Sequence, residues 1–148
     1  MIREEVQEEA EIIRHSGEIP EVAFWNSLHY LTVDEEGPGL ELTLQELHHL
    51  KKAVVERYLA IIERDLTVEN MDKSFYRGVS RAMVNWERLS SFAKREGFSR
   101  EALRQMVIEK FRQFLRKTSS NGLKIDVSSE ELALWLRNKL ACSPQILS

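Results

Sequence analysis

The feature that most constrains the fold is an amphipathic stretch in the middle of the chain, residues 72–97. At about 100° per residue around a helix axis, its apolar side chains fall on one side. That stripe contains Phe75, Val79, Ala82, Met83, Trp86, Leu89 and Ala93. Its width is typical of a helix that packs against a core. The boundary signals agree, because Asp72 suits an N-cap and Gly97 suits the left-handed position that ends many helices.

The opposite side of the same predicted helix is rich in arginine. The arginine side chains on this side span about 27 Å along the helix and fall within about 40° on the helical wheel, and one valine lies beside them. We call this set the arginine face: Arg77, Arg81, Val84, Arg88 and Arg95. Guanidinium groups bind carboxylates and phosphates through paired hydrogen bonds. The arginine face is therefore the predicted binding surface of the protein. The other interpretation is a solvated face whose arginines pair with glutamates of neighbouring helices.

Helical periodicity also predicts helices at residues 2–15, 20–33, 43–65, 100–117 and 130–140. The side chains expected to face the core are Ile2, Val6, Ala10 and Ile13; Val22, Trp25, Leu28 and Leu31; Leu47, Leu50, Val54, Tyr58, Ile61 and Ile62; Leu103, Val107, Phe111 and Phe114, widened by Met106 and Leu115; and Leu132, Trp135, Leu136 and Leu140. The sequence thus predicts an all-α fold, an irregular bundle of about five or six helices. Residues 1–148 are expected to form a single helical domain with a flexible tail at 143–148.

Two short segments alternate apolar and polar residues, and each follows a glycine and precedes a helix cap. They are residues 40–43 and residues 123–127. One interpretation pairs them as a small two-stranded β-ribbon beside the helices. The other interpretation is that both are extended loops that lead into helices.

Charge is distributed unevenly along the chain, although the net charge is only -3. Residues 1–50 carry a net charge of -10, residues 51–100 carry +4 and residues 101–148 carry +3. Residues 1–16 form an acidic, semi-independent N-terminal helix in this interpretation. That helix is a second predicted contact surface, and it is also a possible intramolecular partner of the arginine face.

One weak metal motif is present. Glu46 and His49 form a Glu-x-x-His pair, which places a carboxylate and an imidazole on one side of a helix. Di-iron bundles use two such pairs, and this chain has one. Thr43 and Glu46 also match a capping box, which gives the carboxylate a structural role. Glycine-rich phosphate loops, nucleophile elbows and paired cysteines are absent from the sequence, so no cofactor is predicted.

Three functions are compatible with these patterns. The leading hypothesis is a small cytoplasmic, non-enzymatic interaction or regulatory protein that contacts a partner protein, or a second copy of itself, through the arginine face and the acidic helix. The alternatives are a nucleic-acid-associated regulator that uses the same face and a metal-dependent helical-bundle enzyme. Cys142 is the single cysteine, which suits a reducing compartment. We expect no membrane contact and no signal peptide, because apolar runs of the required length are missing.

Overall fold

The structure, a computed structural model, describes residues 1–33, 37–66 and 75–120, with the backbone alone at residues 75–77, 115 and 117–120. This part of the chain contains five helices: α1 (Glu4–His15), α2 (Pro20–Thr32), α3 (Leu44–Asp65), α4 (Phe75–Glu96) and α5 (Arg100–Ser120). No strand occurs in these ranges, so the all-α prediction is confirmed for them. The arrangement of the five helices as one irregular bundle stays a prediction. Asp72, the predicted helix at 130–140 and the tail at 143–148 lie outside the described residues.

The chain divides into two compact units, Met1–Ala60 and Ile61–Ser148. The boundary falls within α3, whose last turn belongs to the second unit. In the first unit α1 packs against α2. Val6, Ala10 and Ile13 are fully buried, as the periodicity of the first helix predicts. The core of this unit also contains Leu31, Leu50, Ala53, Val54 and Tyr58.

In the second unit α4 packs against α5. The predicted stripe of α4 is confirmed from Val79 onward, since Val79, Ala82, Met83, Trp86, Leu89 and Ala93 are all buried. The side chain of Phe75, its first predicted member, lies outside the described residues. From α5 the buried side chains are Leu103, Val107, Ile108, Phe111 and Phe114. Met106 was expected to widen this stripe, and that prediction is wrong, because it is 49% exposed. The stripe widens on its other edge, where Leu115 was expected and Ile108 is fully buried. The side chain of Leu115 itself lies outside the described residues.

Two of the predicted helix caps form hydrogen bonds. Thr43 and Glu46 make a capping box, in which the Glu46 N–H donates to Thr43 Oγ1 over 3.0 Å and the Thr43 N–H donates to Glu46 Oε1 over 3.2 Å. Gly97 has a φ of 78°, and the following N–H, that of Phe98, donates to the Ala93 carbonyl over 2.9 Å. This bond closes the last turn of α4 as a Schellman motif.

The buried side of α2 differs from the prediction. Val22 and Trp25 were expected in the core, yet they are 45% and 64% exposed. The buried side chains are Pro20, Ala23, Phe24, Ser27 and Leu31. Periodicity failed here because α2 is apolar around nearly its whole circumference, so no single stripe stands out. The small side chains of Ala23 and Ser27 lie on the buried side, which permits close packing of the helix there.

The predicted β-ribbon is not supported. Residues 40–43 form no strand, and residues 123–127 lie outside the described part. The backbone groups of residues 40–43 have other partners that explain this. The Leu40 N–H donates to the Leu31 carbonyl over 2.7 Å, and the Glu41 carbonyl accepts a hydrogen bond from Arg3 over 2.7 Å. Thr43 is committed to capping α3. The segment is therefore a loop joined to α2, to the N-terminus and to α3.

Candidate interaction surfaces

The arginine face lies on the solvent-facing side of α4. Arg81, Val84, Arg88 and Arg95 are exposed, and Val84 is 46% exposed. The side chain of Arg77 lies outside the described residues, although its backbone continues the helix. On the opposite side of α4, the predicted stripe is buried from Val79 to Ala93. Four of the five predicted binding residues are thus exposed on one side of one helix.

The C-terminal end of the arginine face is supported by aromatic packing. Phe92 is 2% exposed and stacks on Phe98, with 6.1 Å between the ring centroids. The guanidinium carbon of Arg95 lies 5.9 Å from the centroid of the Phe92 ring. This is a cation–π contact, and it limits the orientations that Arg95 adopts. The i, i+3 spacing of Phe92 and Arg95 could have indicated the contact from sequence.

The N-terminal end of the face adjoins a buried carboxyl group. Asp65, the last residue of α3, is buried, and its burial raises the pKa of the carboxyl. The positive charges of Arg64 and Arg81 and a hydrogen bond with Asn85 oppose that rise. Asn85 also donates through Nδ2 to the Arg81 carbonyl over 3.0 Å. Arg81 therefore acts electrostatically within the second unit as well as on its surface.

The acidic side of α1 is exposed. We call it the acidic face, and its members are Glu4, Glu5, Glu8 and Glu11. Glu11 forms an ion pair with Arg14 at 2.9 Å, and His15 Nε2 lies 3.1 Å from its other oxygen. Glu9 is different, because burial raises its pKa against the effect of a hydrogen bond with Ser27. The glutamates of α1 thus divide into an exposed group and one that contributes to packing.

Glu46 is the buried member of an ion pair that the sequence did not reveal, and its partner Arg3 is partly exposed. The Glu46 side chain is 1% exposed. Arg3 donates to both carboxylate oxygens, through Nη2 to Oε1 at 2.7 Å and through Nε to Oε2 at 2.9 Å. The Arg3 N–H adds a bond to Oε2 at 3.1 Å. These bonds, the guanidinium ones foremost, lower the pKa of Glu46 to about 2 although burial acts in the opposite direction. We call this arrangement the Arg3–Glu46 clamp.

His49, the other residue of the metal motif, is half-buried in α3. In residues 1–33, 37–66 and 75–120, no three or more His, Cys, Asp or Glu side chains are grouped so as to hold a metal ion. The oxygens of Glu46 are already bonded to Arg3 and Thr43. A metal site at Glu46 and His49 stays a prediction from sequence.

A third surface was not predicted. The outward side of α2 and its ends expose Ile19, Val22, Trp25, Tyr30 and Val33, which we call the apolar face of α2. Phe24 supports it from beneath, since its ring meets that of Trp25 edge to face with 5.6 Å between centroids. Sequence reasoning assigned two of these residues, Val22 and Trp25, to the core.

Comparisons with known proteins give one match. A protein-family model described as a repeat of unknown function, DUF7826, matches residues 1–136, a range that includes α1 to α5. No curated protein and no solved structure matches the chain. Within the part of the chain that the structure describes, every helix falls short of the length or apolarity needed to cross a bilayer.

Proposed function

The chain belongs to the DUF7826 family of repeats of unknown function, and we propose that it is an interaction protein whose arginine face binds an acidic surface of a partner protein. One observation carries this proposal. Arg81, Arg88 and Arg95 are exposed together on α4, while the reverse side of that helix is buried. A rigid helix that presents several guanidinium groups in one direction is suited to a surface of carboxylates.

The composition of the face favours a protein partner. Val84 places an apolar side chain among the arginines, and interfaces between proteins combine arginine with apolar contacts. The buried side of α4, with Trp86 and Leu89, fixes the helix on its unit. The guanidinium groups are therefore presented on a preformed helix, which lowers the ordering cost of binding. A cytoplasmic location is part of this proposal, and the single cysteine supports it.

The test is a binding measurement with a defined acidic ligand. A fluorescently labelled poly-glutamate peptide is titrated with the full chain at low and at physiological ionic strength. We expect saturable binding that Arg81→Glu together with Arg88→Glu weakens by about tenfold or more, because each reversal replaces attraction with repulsion. Circular dichroism spectra check that the variant keeps its helices.

The matched control reverses two arginines on α5, Arg112 and Arg116, which changes the net charge by the same amount. Arg112→Glu together with Arg116→Glu should leave binding within about twofold of the wild type. Equal losses in both variants, or no binding by the wild type, would contradict the proposal.

Labelled duplex DNA and single-stranded RNA serve as competitors. Arginine also suits phosphate, and residues 51–148 carry a net charge of +7. A nucleic acid that binds more tightly than poly-glutamate, and is lost in the α4 variant, would assign the arginine face to nucleic acid instead.

A further inference from the structure

The apolar face of α2 holds five of the ten large hydrophobic side chains that are exposed in the described part of the chain. Trp25 is 64% exposed and Val33 is 67% exposed, and both Val22 and the exposed polar side chain of His29 lie between them on the helical wheel. Monomeric proteins rarely expose large contiguous apolar patches without a partner. The fold does not need these side chains in its core, because Phe24 and Leu31 already fill the buried side of the helix.

The same face is free of charged side chains within the helix, in an otherwise acidic part of the chain. The single Asp, Glu, Lys or Arg of α2 is Glu21, which is half-buried and accepts a hydrogen bond from the Tyr58 hydroxyl at 3.2 Å. Glu18 lies just before the helix and accepts a hydrogen bond from Asn26 at 3.1 Å. Residues 1–50 carry a net charge of -10, so two copies repel each other over most of this region. The outward side of α2 is where that repulsion is weakest.

The family description indicates what covers such a face. In repeat proteins one unit cannot bury its apolar surface alone, and adjacent copies bury it by stacking. From these observations we propose that the apolar face of α2 is a docking surface for a second copy of the same chain. It is separate from the arginine face, which lies on α4 in the other unit.

Repeats within one chain stack through two different faces, whereas separate copies of a chain associate most often about a twofold axis. A twofold arrangement fits the position of Trp25. The residue lies next to Asn26, the midpoint of α2 (Pro20–Thr32). A twofold axis through the middle of the helix brings the two Trp25 side chains to the centre of the contact. Residues that dominate binding concentrate at the centre of an interface, and tryptophan is enriched among them.

The experiment measures the mass of the full chain by sedimentation, from micromolar to millimolar concentration. We expect a transition from one chain to two. Val22→Ser together with Trp25→Ser should weaken the association roughly thirtyfold or more, since it removes the central tryptophan. Both side chains are exposed, so the variant should retain its helices by circular dichroism.

The matched control removes two exposed apolar side chains from other helices, through Leu44→Ser with Met106→Ser. It should associate as the wild type does. A wild-type mass of one chain at every concentration would overturn the proposal. Association that survives Val22→Ser with Trp25→Ser, or that the control variant loses equally, would also overturn it.

A second measurement follows Trp25 directly. The difference in fluorescence between the wild type and Trp25→Phe isolates its emission from that of the other two tryptophans. We expect acrylamide to quench this emission in dilute solution and to quench it less as the concentration rises. Emission protected even in dilute, monomeric protein would show that another segment of the same chain covers α2, which contradicts docking by a second copy.

Arg81→Glu with Arg88→Glu should leave the mass unchanged, so failure of the arginine-face proposal and failure of this one are separable.

Discussion

Glu46 illustrates how much one residue does in the first unit. As the last residue of the capping box it satisfies the Thr43 N–H at the start of α3. The same carboxylate accepts two bonds from the Arg3 guanidinium and one from the Arg3 backbone. Loss of this group leaves the arginine and two backbone donors without their acceptor, and unpaired groups of this kind are costly.

The Arg3–Glu46 clamp makes stability depend on pH. The pKa of Glu46 falls from 4.5 to about 2 on folding, so the unfolded chain binds the proton more readily. The stabilisation is therefore complete above pH 4.5 and is lost as the pH falls toward 2. We expect Glu46→Gln to lower the melting temperature by several degrees at neutral pH, and the difference from the wild type to shrink through this acidic range. Thermal unfolding followed by circular dichroism measures both quantities.

Glu41→Gln is the control for that experiment, because Glu41 is exposed in the same loop and contributes its backbone carbonyl rather than its side chain to Arg3. It should melt close to the wild type at all pH values. A wild-type to Glu46→Gln difference that stays constant between pH 7 and the acidic range would contradict the role of the carboxylate charge.

The sequence predicted half of this site. Thr43 and Glu46 are three residues apart and follow a local rule, so the capping box could be predicted and is confirmed. Arg3 is 43 positions from Glu46. Local periodicity carries no information about such a distant contact. Nothing in the local sequence around Arg3, one of the two basic residues among the first 50, pairs it with Glu46.

At the scale of elements, α4 and α2 show when a pattern determines the buried face. In α4 the apolar and arginine-rich sides are opposed, and each described residue of the predicted stripe is buried. In α2 apolar residues occur on both sides, so the choice between them depends on packing. Leu31 was assigned correctly and Trp25 was not. The arginine face could thus be predicted from sequence, whereas the apolar face of α2 became visible only in the folded chain.

The end of α4 offers a test of its cap. Gly97 has a φ of 78°, a left-handed conformation that a residue with a Cβ adopts at a cost of about 1–2 kcal/mol. Nothing lies within 4 Å of a Cβ built at Gly97, so the cost is conformational rather than steric. We expect Gly97→Ala to lower the free energy of unfolding by that amount, as measured by urea denaturation.

Gly17→Ala is the matched control, because Gly17 also has open space around it and does not have a positive φ. It should be neutral or slightly stabilising, since alanine restricts the unfolded chain. Equal destabilisation by the two substitutions would argue against the left-handed cap as the cause.

At the scale of the whole molecule, the two proposed surfaces differ in their physical character. The arginine face binds through charge, and salt screens charge over about 8 Å at physiological ionic strength. The apolar face of α2 binds through burial of apolar surface, which salts such as sulfate strengthen. The uneven distribution of charge along the chain could be predicted from the sequence alone. The division into two compact units could not, because their boundary lies inside the continuous helix α3.

Salt should therefore separate the two activities in one protein. Raising sodium chloride from low to physiological concentration should weaken poly-glutamate binding about tenfold or more. Self-association should not weaken, because salt also screens the repulsion between the acidic residues of two copies. Titrations and sedimentation in the same buffers provide the comparison. Parallel weakening of both would mean that one electrostatic contact underlies them.

Two ion pairs, one from the N-cap of α1 and one from its last turn, join this helix to α3 and have a consequence for how the first unit assembles. Arg3–Glu46 and Arg14–Glu56 join positions 43 and 42 residues apart. Forming either one closes a loop of that length, and the entropy of loop closure is the main cost. Once one has formed, the second closes little additional chain, because it lies about ten residues along the same two helices. Val6 and Ala10 lie between the two ion pairs. We therefore expect α1 to dock cooperatively: either ion pair can form first, and the other then forms at little further cost in loop entropy.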